Sequence, residues 1–195
     1  MVGDPPQRKP NRLTYWDYSR PAHYFLTICS HLRQCLFGNI IDGQVELSAF
    51  GELVRDCLLR SFELRRELTL DQWVIMPNHI HLILVLSGAD HGTIDYSREE
   101  LQRERKSISS FAAGFKGAST AAINTYRSNP GQPVFQRGFY DHVIRSEEAL
   151  FAIRNYIINN PAQWQLDRLH PANRSTAHDE LDQLINLDSR TRFEN

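Results

Sequence analysis

Apolar and polar positions alternate over His23–Ser30 (HYFLTICS), and this two-residue period, rich in β-branched and aromatic side chains, predicts a strand. In FGNIIDGQVELS, Asp42-Gly43 lies between two short apolar runs, the signal for a hairpin. The period then changes. Behind Ser48, a capping residue, Phe50, Leu53, Val54, Cys57 and Leu58 recur at helical spacing and predict a helix to about Leu64. LDQWVIMP and HIHLILVL read as two strands, punctuated by Pro77-Asn78. A second helix is predicted over Ser107–Tyr126, where Phe111, Phe115, Ala118, Ala122 and Ile123 share a face, and SNPGQP stops it. VFQRGFYDHVIR supplies a further strand. Ser146, followed by Glu147 and Glu148, opens a third helix that ends at Asn159 or Asn160, before Pro161.

The order is strand, hairpin, helix, strand, strand, helix, strand, helix. Without the hairpin this is the split βαββαβ pattern of an α+β, ferredoxin-like fold: an antiparallel sheet with helices on one face. The N-terminal hairpin and the C-terminal, tyrosine-bearing helix are additions to it. Residues 1–19 read as a polar N-terminal segment, 20–165 as the folded domain and 166–195 as a polar tail with one amphipathic stretch, HDELDQLINL. The charged run from Ser87 to Lys106 reads as a loop or an exposed helical excursion. There are no internal repeats.

Length and composition narrow the class. At 195 residues and 22.6 kDa, with 41% hydrophobic residues, the chain suits one packed domain with appendages. MVGDPPQRKPNR has no apolar signal-peptide core, and no apolar run reaches the ~18 residues of a membrane span. Three cysteines without CxxC spacing, Cys29, Cys35 and Cys57, read as reduced packing residues, and the expected location is cytoplasmic. The net charge of −1 announces no nucleic-acid partner. Its distribution says more: nine basic against six acidic residues from Arg98 to Arg154, then four against six from Ala162 onward, which permits a phosphate-binding face.

Two stretches carry candidate chemistry. In MPNHIHLIL, His79 and His81 are two apart on a strand, so they share a face about 6–7 Å apart, while Ile80, Leu82 and Leu84 point the other way. They are either hydrogen-bonded strand histidines or a metal-ligand pair. In RNYIINNPAQW, Tyr156 and Asn160 lie one helical turn apart on one face. Tyr126 and Tyr140 are rival phenols, but neither has an amide one turn on. Asn160 can also simply end the helix in a left-handed conformation. Two imidazoles, an amide oxygen and a phenol suit metal-assisted phosphodiester transesterification, with Tyr156 attacking in line and storing the linkage as a phosphotyrosine. No Walker-type phosphate loop is present. Arg137, His142 and Arg145 alternate along the last strand and are read as DNA contacts.

These pieces resemble a known family. His79-Ile80-His81 matches the His-hydrophobic-His signature of the HUH single-strand nucleases. HYFLTIC with LFGNI, WVIMPNHIHLIL, SISSFAAGFKGAST, FQRGFYDHVIRSEE and YIINNP with its trailing Trp are similar, in order, to the REP-associated branch of the single-tyrosine transposases. The resemblance spans roughly residues 20 to 170. It implies that His79 and His81 bind Mg²⁺ or Mn²⁺, with Asn160 as third ligand and Tyr156 as the nucleophile that forms a 5′-phosphotyrosine. Imidazole ligation tilts the choice toward Mn²⁺. It further implies that Lys116 touches phosphate or supports the phenolate. The implied partner is single-stranded or hairpin DNA from palindromic repeats, the implied assembly a monomer or homodimer. The competing expectations are a non-catalytic DNA- or RNA-hairpin binder and a metal-dependent phosphohydrolase.

Overall fold

A computed structural model of the chain describes residues 20–87 and 107–173. The segment 1–19, nearly all of the charged run and the HDELDQLINL stretch lie outside the described residues. Among those described, the elements in chain order are β1 (Ala22–Cys29), β2 (Gly38–Ile41), β3 (Gln44–Leu47), α1 (Ala49–Glu63), β4 (Leu68–Met76), β5 (His79–Leu86), α2 (Ile108–Tyr126), β6 (Tyr140–Ile144) and α3 (Glu147–Asn159).

Local chemistry sets these boundaries. Ser48, Ser107 and Ser146 each cap a helix, their Oγ accepting from the N–H of Gly51, Ser110 and Ala149 at 3.1, 3.3 and 3.1 Å. Each such cap is worth about 1 kcal/mol. The β2–β3 turn takes positive φ at both central residues, Asp42 at 50° and Gly43 at 73°, as its twist demands. β6 begins at Tyr140, later than the sequence pattern suggests, because Gly138 turns the chain at φ 80°. Upstream, Phe135 makes only an isolated bridge to Ser30.

The main sheet has the order β4-β5-β1-β6 with every neighbour antiparallel, the arrangement a split βαββαβ chain produces. Its two faces are both covered. Ile80, Leu82 and Leu84 of β5 join Tyr24, Leu26 and Ile28 of β1 under Val54 and Leu58 of α1 and Phe111 and Phe115 of α2. Phe25, Ile83 and Ile144 form a second, smaller core with Ala149, Leu150, Ile153 and Ile157 of α3. Burying each large aliphatic side chain contributes roughly 1.5–3 kcal/mol. The two helices of the ferredoxin-like unit thus share one face, and the tyrosine-bearing helix lies on the other.

A bulge in β4 between Leu70 and Trp73 breaks the register. Asp71, within it, receives Arg154 of α3: Nε at 2.9 Å and Nη2 at 2.8 Å from Oδ2. This ion pair ties α3 to the sheet edge one half-turn before Tyr156.

Candidate metal and tyrosine site

β5 is a central strand, so its site-facing side chains are rigidly held. His79 pairs with Cys29 and Met76, and His81 with Thr27 and Val74. Both imidazoles are fully buried on the α3 face, their ring centroids 4.4 Å apart. His81 stacks on Phe25 at 5.2 Å, and Trp164 lies 6.0 Å from His79.

Hydrogen bonds fix which ring nitrogen of His79 is available. Asn78 donates from Nδ2 to the carbonyls of Arg33 (3.2 Å) and Leu169 (2.7 Å), so its Oδ1 must face His79 Nδ1, 2.8 Å away. An amide oxygen only accepts, so His79 Nδ1 carries the proton and Nε2 presents a lone pair. His81 Nδ1 lies 2.9 Å from Thr27 Oγ1. A partner on Nδ1 that leaves Nε2 for a metal is the usual second layer of a metal-ligating histidine.

The other groups come from α3 and the turn after it. Tyr156, nearly buried, places Oη 3.4 Å from His81 Nε2 and sets its ring edge-on to Phe25. Asn160 closes α3 in right-handed helical geometry (φ −54°, ψ −41°), so the left-handed terminator reading does not apply. Its Nδ2 donates to Asp167 Oδ2 at 3.1 Å, and the Leu169 N–H donates to Asp167 Oδ1 at 2.6 Å. Asp167 Oδ2 also lies 3.6 Å from His79 Nε2.

The result is a convergence of acceptors. His79 Nε2 and Asn160 Oδ1 are buried and make no well-aligned hydrogen bond. Ligand atoms of His79, His81 and Asp167 lie within 4.8 Å of one another. A proton does not resolve this at neutral pH. Burial, reinforced by the charge of Arg33 and only partly offset by the neighbouring Asn160 amide, lowers the His79 pKa to about 3. Burial, then the charge of His79, holds His81 well below its ordinary value. Two neutral imidazoles, a carboxylate and an amide oxygen suit a divalent ion such as Mn²⁺ or Mg²⁺, Mn²⁺ being the more tolerant of nitrogen donors. The set carries one negative charge, so a bound dication would leave a net positive centre.

Beside this site is a cavity of about 370 Å³ lined by Thr27, Cys29, Arg33, Arg137, Tyr140 and Arg168, among others. Thr27 and Cys29 are the cross-strand partners of His81 and His79, so its floor adjoins the imidazoles. Arg137, expected to contact DNA, is on this wall. Lys116 is behind it, donating to the carbonyls of Gln136 at 2.5 Å and Gly138 at 2.9 Å, with its pKa lowered by burial. His142 and Arg145 follow along and after β6, outside the residues lining the cavity. Of the rival phenols, Tyr140 lines the cavity, and Tyr126 is exposed against Phe50. Cys35 is exposed rather than packed; Cys57 packs against the main core. No helix among the described residues is long and apolar enough to cross a membrane.

Asp167, Asn78, Arg33 and Arg168 did not stand out in the sequence. Asn78 precedes the histidines within MPNHIH and reads there as a turn residue. Asp167 carries no local signal, since its partners are Asn160 and a strand far upstream.

No protein-family model matches the chain. An uncharacterized protein of Haemophilus influenzae is 30% identical over 167 residues, covering 84% of this chain and 93% of that protein. Among solved structures, a REP-associated tyrosine transposase bound to a REP hairpin is similar over 80% of this chain and 77% of its own, at 19% identity and a TM-score of 0.56. A putative transposase from Deinococcus radiodurans R1 overlaps 76% of this chain and 95% of its own, at 18% identity and a TM-score of 0.40. The chain therefore belongs to one family with the Haemophilus influenzae protein, and its fold is that of the REP-associated tyrosine transposase.

Proposed function

We propose that this protein is a metal-dependent single-stranded DNA endonuclease and transesterase of the transposase type, cutting and rejoining DNA at repeat hairpins through Tyr156. The observation that carries the reading is the meeting of the Tyr156 hydroxyl, 3.4 Å from His81 Nε2, with the buried acceptors of His79, Asn160 and Asp167. All of these groups meet within one chain. The fold relative's REP hairpin supports hairpin DNA as the partner.

His79, His81 and Asn160, with Asp167 beside them, would hold Mg²⁺ or Mn²⁺. When bound, the ion supplies charge neutralisation on the phosphate oxygens. Tyr156 Oη attacks phosphorus: the O–P bond to tyrosine forms, the P–O3′ bond breaks, the phenol gives up its proton and the departing 3′ oxygen takes one up. The 5′-phosphotyrosine conserves the linkage, and a free 3′ hydroxyl can later reverse the exchange and restore the phenol. Phe25 and α3 hold the phenol ring, while Asn78 and Thr27 hold the imidazoles.

A second reading, a hairpin-binding protein that does not cut, draws on the complete burial of both imidazoles. Labelled single-stranded hairpin DNA incubated with Mn²⁺ and resolved on a denaturing gel separates the two. A covalent protein–DNA band that vanishes in Tyr156→Phe supports the enzyme. Binding without any such band in the wild type supports the binder.

A further inference from the structure

The cavity beside the histidines has a chemical character that the chain as a whole lacks. Among the described residues lining it are three arginines, Arg33, Arg137 and Arg168, and no Asp or Glu, in a protein whose net charge is −1. Its volume, about 370 Å³, lies at the small end of ligand sites and has room for a single nucleotide. Tyr140, half-buried on the site face of β6, gives it an aromatic wall.

Arg33 is held there at a conformational cost. Leu32 and Arg33 both take left-handed backbone, φ 54° and 55°, although neither is glycine and Leu32 is largely exposed. Such strain persists where surrounding contacts over-determine it, and it concentrates at functional sites. The contact here is the Asn78 amide, which grips the Arg33 carbonyl with the same group that orients His79 and holds the Leu169 carbonyl. One buried side chain thus ties two walls of the cavity to a metal-ligating imidazole.

We propose that this cavity is a nucleotide subsite: it seats the nucleotide of a single strand that flanks the phosphate to be cut, with Arg33, Arg137 and Arg168 on its phosphate and Tyr140 against its base. Guanidinium groups match phosphate oxygens in fork geometry, and a ring face accepts any base. The proposal rests on the single-strand cutting reading above and names where that strand is held.

The test uses the full chain carrying Tyr156→Phe, so that cutting plays no part, and a fluorescent single-stranded oligonucleotide whose anisotropy is followed across a salt series. Arg33 and Arg137 are exposed, so Arg33→Gln and Arg137→Gln spare the core. Each is expected to weaken binding about tenfold, as loss of a charge-assisted bond does. Each should also reduce the slope of log K against log salt by about 0.7, the single-strand value per phosphate. Arg66→Gln, exposed beyond the end of α1, is the charge control and should change neither. Unchanged binding in the cavity variants, an equal loss in the control, or no single-strand binding by the parent chain overturns the subsite. The covalent-band assay on chains retaining Tyr156 reports separately on cutting. If no band forms but the cavity variants still lose affinity, the subsite stands and the enzyme reading fails. If the band forms and the cavity variants bind like the parent, only the subsite fails.

Discussion

The Asn160 amide is oriented by Asp167: Nδ2 donates to the carboxylate across 3.1 Å, and Oδ1 is left without a well-aligned partner beside the strand imidazoles. Replacing the acid with Asp167→Asn keeps the shape but removes the charge and lets the neighbouring amide flip. Mn²⁺ affinity measured by calorimetry should fall about 10- to 100-fold, the usual range for a group supporting metal ligands. Unchanged affinity would remove Asp167 from the site.

Tyr156→Phe removes one oxygen, which lies 3.4 Å from His81 Nε2. The covalent band should drop by at least about 10³-fold, as expected for loss of a nucleophile. Mn²⁺ affinity should stay within about twofold, because the phenol is not among the ligands. A persistent band would transfer the nucleophile to another side chain.

Acid should destabilise the metal-free protein in a defined window. The His79 pKa falls from 6.5 to about 3 on folding, so between those values the unfolded chain binds a proton that the folded chain refuses. Stability is therefore complete above pH 6.5 and is lost as pH drops toward 3, at about 1.4 kcal/mol per pH unit for this residue. His81, likewise depressed, steepens the same descent. Urea midpoints of chelator-treated protein from pH 7.5 to 5 should show a shallower fall for His79→Gln than for the wild type. Equal slopes would contradict the account.

The Asp71–Arg154 pair is partly exposed, so Asp71→Ala should cost at most about 1 kcal/mol of stability in denaturant melts. Its effect on covalent-band formation should be larger, roughly tenfold or more, because small misplacements of a reacting group are expensive. A rate loss no greater than the stability loss implies would show that the pair does not position α3.

Much of this arrangement was legible in the chain. Period-two alternation placed His79 and His81 on one face and Ile80, Leu82 and Leu84 on the other, because strand geometry leaves no alternative. Ser48 and Ser146 marked helix starts through the hydrogen bonds they now make. The four-residue spacing of Tyr156 and Asn160 put both on the sheet-facing side of α3. What stayed hidden was tertiary. Nothing local says that α3 takes the face opposite α1 and α2, or that the polar stretch after Pro161 folds back to bring Asp167 and Leu169 beside Asn78. The left-handed pair at Leu32 and Arg33 is equally silent, since neither residue type favours that backbone.

The phenol, the amide and the carboxylate all lie between residues 156 and 167, while the imidazoles belong to a strand completed by residue 86. During synthesis the sheet's histidine strand therefore emerges long before Tyr156, Asn160 and Asp167, the groups it meets in the fold. A ribosome-bound or prematurely terminated chain lacking the last helix has both imidazoles and none of the groups that face them from α3 and the turn after it. If Tyr156 is the nucleophile proposed above, chain order alone leaves such a fragment unable to form the tyrosine linkage.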